Sequence, residues 1–336
     1  MSFARLLAAG LVSLCAGCVG SPAPKPAAPA PAPRPPAVTT PEAVVDPQLE
    51  AELRADVKHL AQTIGERNTD KKWELASAAD YLVDRLEALG YAVSRHGYEV
   101  GDAVVQNLEV SLPAGDRGDE VLIVGAHYDS APGTPGADDN ASGVAALLAL
   151  ARRLQGKPLS RSVRLVFFAN EEPPHFQTET MGSLVYARQL AQRGGRVVGM
   201  LSLESLGVYS DAPGSQRYPA ALAARFPTVG NFVAVVADES SRELGERVAT
   251  HLRRHGSVPV EHAALPRQLD GVGWSDHWSF WQVGVPAVMV TDTAPFRYEH
   301  YHAATDTPER LDYARLGRVV LALRETILRL ANDAVD

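Results

Sequence analysis

Cysteine is almost missing from this chain: of 336 residues only Cys15 and Cys18 carry a thiol, and both precede residue 20. Everything after them folds without a disulfide and without thiolate metal ligands, so any metal must be held by nitrogen and oxygen donors. Positive charge is outnumbered. A formal net charge of -8 with no long basic run argues against nucleic acid or an anionic membrane surface as the main partner. Long apolar runs are missing too, and the one over residues 6–14 is too short to span a bilayer. What remains, 46% hydrophobic and 21% charged residues, is the composition of an ordinary globular protein with a sizeable core.

The first segment has one positive charge at Arg5, the apolar run, and small residues before Cys18, which is the layout of a secretory signal. Leu14-Cys15-Ala16-Gly17-Cys18 resembles the lipobox of bacterial lipoproteins, in which cleavage after Gly17 leaves Cys18 to be acylated. A plain signal peptide is the other reading. Residues 21–41 are dominated by Pro and Ala and cannot pack, so they are expected to form an extended tether. The expected organisation is a signal over 1–17, a tether over 18–44 behind a lipidated Cys18, and one folded domain over 45–336. Such a chain is exported to a bacterial cell envelope and meets the membrane only through its lipid.

Apolar residues recur at helical spacing over 49–64 and 73–89, with Gly90 as the stop of the second helix. Strand-like runs follow at 104–112, 121–126, 163–169, 200–204, 232–237 and 286–291, and helical patterns at 142–155, 182–192, 240–255 and 313–331. Strands apolar on both faces, alternating with amphipathic helices, imply an α/β fold: a single three-layer sandwich with a mixed, largely parallel central sheet. Ligands collect beyond the carboxyl ends of strands in such sheets. His127, Glu171, Glu172 and Glu204 all fall there.

Each of these residues has an ordinary reading beside a chemical one. His127 and Asp129 form a His-x-Asp pair whose side chains point the same way, so Asp129 can orient the imidazole through its second nitrogen; alone, the pair could equally be packing. Asp138 and Asp139 precede the helix starting near Ser142, where capping and metal binding can coexist. Glu171 and Glu172 would repel unless a cation or shared proton offsets them, although Pro173-Pro174 also suits an exposed turn. Glu204 in its apolar strand needs a partner, either a metal or an Arg. His300 and His302 are equal candidates on spacing alone. Trp274, Trp278 and Trp281 have the spacing of one buried helix face, with Asp276 and His277 among them.

Taken together, Gly125-Ala126-His127-Tyr128-Asp129-Ser130, Gly136-Ala137-Asp138-Asp139-Asn140-Ala141-Ser142-Gly143, Asn170-Glu171-Glu172, Leu203-Glu204, Ser275-Asp276-His277 and His302 with Asp306-Thr307 resemble the co-catalytic di-zinc exopeptidases of the aminopeptidase Y type. That group also includes glutamate carboxypeptidase and the glutaminyl cyclases. The resemblance covers about residues 120–310 and implies a mixed sheet of about eight strands between helices. It implies Asp139 as a bridging ligand, His127 and Glu204 on one zinc, Glu172 and His302 on the other, and Glu171 as general base. It favours His302 over His300, and leaves Asp129, Asp138, Asp276 and His277 as supporting or pocket residues. Glu204 stands where the simple aminopeptidases usually have Asp, and residues 173–180 are longer than the usual link and are expected to reshape the pocket rim.

The implied activity is that of a metalloaminopeptidase with two zinc ions per chain, hydrolysing peptides with a free N-terminus through a water bridging both metals. A single-zinc glutaminyl cyclase is the second possibility, against which His127 weighs. A non-catalytic envelope lipoprotein that keeps the fold as a binding module is the third.

Overall fold

The computed structural model describes residues 45–333 except 221. The expected signal, Cys18 and the tether lie outside the described residues. The eight strands are β1 (Ser94–Val100), β2 (Ala103–Leu112), β3 (Arg117–His127), β4 (Arg161–Phe168), β5 (Arg196–Glu204), β6 (Val233–Asp238), β7 (Val260–Leu265) and β8 (Ala287–Thr291). They form one sheet in the order β1-β2-β4-β3-β5-β8-β6-β7. Its centre, β4-β3-β5-β8, is parallel, β6-β7 is also parallel, and antiparallel pairs join β1-β2, β2-β4 and β8-β6.

Side chains alternate across the strands and so serve two cores. Leu122, Val124 and Ala126 of β3 join a core shared with α1 (Pro47–Lys58), α2 (Lys72–Glu87), α3 (Gly143–Leu154), α5 (Arg242–His255) and α8 (Tyr313–Asn332). Val121 and Ile123 face the other way, toward α4 (Gly182–Arg193) and α6 (His277–Gln282). The molecule is therefore the expected three-layer α/β sandwich, completed by the short helix α7 (Ala294–Arg297).

Every expected strand is present, and β1 and β7 are additional. Among the helices, α1 ends at Lys58 and continues as a wider turn over His59–Ile64. Trp73, counted among the apolar positions of α2, is instead 83% exposed. Trp274 lies ahead of α6, so the three tryptophans do not share one helix face. Trp281 is buried, whereas Trp274 is 41% exposed.

Candidate active site

Three adjacent parallel strands deliver the first donors. β3 ends at His127, β4 at Phe168 just before Glu171 and Glu172, and β5 at Glu204, so all emerge on one rim. Asp138 and Asp139 come from the irregular turn Ala137–Ser142 ahead of α3, in which Asp139 has φ -107 and ψ 91, outside the helical region. His302 follows α7 with a left-handed φ of 54. Asn170 and Ser205, beside other site residues, are left-handed as well, with φ 58 and 46. Such backbone conformations are costly for residues other than glycine and persist only where the surroundings enforce them.

The enforcing groups are visible. Asp129 accepts hydrogen bonds from the backbone N–H of Glu171 and of Glu172, both at 3.1 Å, while its Oδ1 lies 3.4 Å from His127 Nδ1. One carboxylate thus fixes the Glu-Glu turn and faces the imidazole. Asn140 Oδ1 accepts from Ser205 N at 3.0 Å and from Gly143 N at 3.1 Å, and so supplies the helix cap. Capping therefore falls to Asn140, which frees Asp139 for other work. Asp138 points elsewhere, taking the Gly207 N–H at 2.8 Å.

The donor atoms converge around Asp139. Its Oδ1 is 3.3 Å from His127 Nε2, which is 3.3 Å from Glu204 Oε2. Its Oδ2 is 3.0 Å from His302 Nε2, which is 3.2 Å from Glu172 Oε2. His127, Asp139 and Glu204 thus form one close group of donors, and Asp139, Glu172 and His302 form another. A third, overlapping group joins His127, Glu171 and Glu172, with Glu171 Oε2 at 4.0 Å from His127 Nε2. His300 turns away, toward the Thr305 hydroxyl.

Burial and neighbouring charges set the protonation of this cluster. Burial pushes Glu171 well above the usual carboxylate range, assisted by Glu172, Glu204 and Asp276 against the pull of His127. Burial, with Asp139, likewise lifts Glu172 to about 7, and burial raises Glu204. Asp139 goes the other way: burial opposes its charge, but His127 and His302 on either side lower its pKa. Burial disfavours a charged His302, yet Asp139 and Glu172 raise it to about 10. Several of the converging atoms, His127 Nε2, Asp139 Oδ1 and Glu172 Oε1, are buried without a hydrogen-bond partner. Unpartnered imidazole nitrogens and carboxylate oxygens in groups of three fit divalent cations of the zinc kind.

The remaining residues divide. Asp276 is fully buried, and burial lifts it to about 7 against the pull of His127 and Ser183. His277 faces the Val272 carbonyl at 2.8 Å and sets its ring against the Trp281 edge, so it packs in the second core. Residues 173–180 do not line the apolar pocket described below. They tie the segment before α2 to the turn before α6, through His175 with Thr69 at 2.9 Å and Gln177 with the Gly273 carbonyl at 3.1 Å.

The contacts of Ser275, Tyr301 and Arg67 emerge only in three dimensions. Ser275 donates to Glu204 Oε2 at 2.7 Å. Tyr301 stacks on His302 with ring centroids 3.9 Å apart, and burial together with Asp139, Glu172 and Glu204 holds its phenol firmly protonated. Arg67 is fully buried and donates to the carbonyls of Tyr128, Pro135 and Gly136, at 2.6, 2.5 and 2.9 Å. Burial lowers its pKa to about 10, so it remains a fixed cation near Asp129 and Asp139. A solitary Arg between two helices carries no sequence signal of such a role.

Beside the cluster opens an apolar pocket of about 800 Å³, its mouth included. Glu204 and Tyr301 line it on the side of the cluster, and Leu222, Phe226, Met289 and Phe296 are among its other walls. Among the described residues no Lys or Arg lines it.

The chain is 37% identical over 278 residues to an uncharacterized protein, YfbL, of Escherichia coli K12, a match covering 80% of this chain and 84% of YfbL. It is 24% identical to a probable leucine aminopeptidase of Arthroderma otae over 70% of this chain, and spans 60% of that longer protein. Among solved structures, a zinc aminopeptidase from Bacillus subtilis matches at TM-score 0.66 and 14% identity, over 85% of this chain and 95% of the other. A glutaminyl cyclase from Fimbriiglobus ruber matches at TM-score 0.63 and 23% identity, over 86% and 97%. At those identities the structures speak for the fold and not for one reaction. The model of peptidase family M28 matches residues 107–327, a stretch that holds His127, Asp139, Glu171, Glu172, Glu204 and His302, and the chain belongs to that family.

Proposed function

We propose that this protein is a metallo-aminopeptidase that removes the N-terminal residue from peptides, with two zinc ions held by donors that share Asp139. The observation that carries this reading is the pair of donor groups meeting at one carboxylate, Oδ1 toward His127 and Oδ2 toward His302. In it, His127, Asp139 and Glu204 hold one ion, and Asp139, Glu172 and His302 hold the other. Bound zinc supplies Lewis acidity, which lowers the proton affinity of a water molecule and draws charge from a scissile carbonyl.

The protein's own groups do the rest. Glu171 stands outside both groups that share Asp139 and is buried at their edge, where its Oε2 takes a proton from water and returns it to the leaving amine. Asp129 keeps that carboxyl in place by holding the backbone of the Glu-Glu turn. Tyr301, protonated and at the junction of cluster and pocket, donates a hydrogen bond to the oxygen that gains charge. The apolar pocket receives the side chain of the residue being released. Among the described residues no Lys or Arg lines it, whereas Asp270 does, so its charge suits a substrate ammonium better than a substrate carboxylate. That favours N-terminal over C-terminal trimming.

The direct test is a panel of aminoacyl arylamides with free and acetylated amines. Hydrolysis of the free leucyl compound and rejection of its acetylated form is the expected outcome. Equal turnover of both would sink the reading. The single-zinc cyclase is disfavoured by the donor group around His127, which a one-metal enzyme would leave unused; about one zinc per chain and cyclisation of N-terminal glutamine would reinstate it. We also propose export and a lipid on Cys18, supported by the composition of the first 44 residues.

A further inference from the structure

One carboxylate beside the cluster has no part in the chemistry above. Asp306 is fully buried. Its side chain accepts the Asp138 N–H at 3.0 Å on Oδ1 and 3.1 Å on Oδ2, and the Asp139 N–H at 3.2 Å on Oδ2. The Asp306 carbonyl also receives the Ala137 N–H, at 3.4 Å. Three consecutive N–H groups of the turn that carries the shared carboxylate therefore end on a single residue. Asp306 is at the same time part of the His302 turn, since its own N–H donates to the Ala303 carbonyl at 3.0 Å. Tyr298 steadies it with a hydroxyl donated to Oδ1 at 3.0 Å.

The two segments so joined lie 168 residues apart in sequence. They supply two donors of the second group, His302 Nε2 and Asp139 Oδ2, 3.0 Å apart. We propose that Asp306 is a positioning residue that sets the spacing of Asp139 and His302 before metal binds, so that its loss weakens zinc binding more than it weakens the fold. The turn does not hold itself in place: Asp139 departs from helical φ/ψ, and its N–H and that of Asp138 both go to this carboxylate. An Asn at 306 would keep the volume but replace one acceptor oxygen with a donor facing those N–H groups. The turn would then sample other arrangements, and binding would have to restore the right one.

This proposal rests on the metal reading above, and the experiment separates the two. Metal-stripped wild type and Asp306→Asn are melted with and without excess zinc, and zinc affinity is measured by competition with a chromophoric chelator. The stripped variant should melt somewhat below stripped wild type, the zinc-induced rise in Tm should shrink in the variant, and affinity should fall about 10- to 100-fold. A merely structural role would lower both melts together and leave the zinc-induced rise intact, which overturns this proposal alone. If Asp306→Asn does not fold, Tyr298→Phe removes a single hydrogen bond to Oδ1 and should weaken zinc about two- to fivefold; unchanged affinity overturns the proposal. A wild type whose Tm ignores zinc overturns the metal reading and this proposal with it.

Discussion

Glu171 and Glu172 are neighbours hung from one carboxylate, yet only Glu172 shares a donor group with Asp139 and His302. In the proposed mechanism that difference separates a base from a ligand, and it makes a prediction. Glu171→Gln should keep near-normal zinc content while kcat falls about 10²- to 10⁴-fold, as metal analysis beside steady-state kinetics would show; retained turnover would remove Glu171 from the mechanism. Tyr301→Phe should keep zinc and lose about 10²-fold in kcat with little change in KM, because its hydrogen bond matters mainly in the transition state. The donors themselves were legible because each sits in a short polar motif that interrupts an apolar strand or precedes a helix. Ser275 and Asp306 stand in matched motifs, but their contacts, like those of Arg67, were not legible, since each acts on partners more than 60 residues away in sequence. Residue type and spacing carry no trace of such pairings.

Among the elements, the same contrast has a simple cause. The buried strands announce themselves as continuous apolar runs, whereas β1 and β7 lie at the two edges of the sheet and mix polar with apolar residues. Their polar character hid them. Where α4 begins, Gly182 leaves no room for a side chain: a Cβ there would overlap the Ala169 carbonyl oxygen and press on Asn107. Gly182→Ala should cost about 1–3 kcal/mol in denaturant unfolding, and an unmoved midpoint would contradict this packing. Glu109 of β2 ties elements together, accepting the Tyr186 hydroxyl of α4 at 2.8 Å, with His96 of β1 at 3.3 Å and Arg164 of β4 at 3.6 Å. Burial works against its charge, but these partners and Ser111 hold its pKa at about 2. A depressed carboxylate stabilises the fold above its unfolded pKa of 4.5, and that stability is lost as pH falls toward 2. Glu109→Gln should therefore be less stable than wild type at pH 7, and urea titrations should show the gap closing below about pH 4.5. A gap that stays constant to low pH would exclude the linkage.

For the molecule as a whole, the order β4-β3-β5 matters most, because three parallel strands in a row bring His127, Glu171, Glu172 and Glu204 to one rim. The sheet sets the rim, and the turns at Asp139 and His302 close over it. The overall class was readable from alternating strands and helices, while the pocket was not: its walls come from residues spread between 204 and 301, and hydrophobicity alone does not distinguish a wall from a core. If Cys18 is lipidated, the full-length protein should partition into detergent and the Cys18→Ser form should not; identical partitioning would refute the anchor. The central claim, two zinc ions meeting at Asp139, has its most direct test in metal analysis of zinc-loaded, dialysed protein. About two zincs per chain in the wild type and almost none in Asp139→Ala is the expected result. One zinc in the wild type, or an Asp139→Ala protein that keeps both, would contradict it.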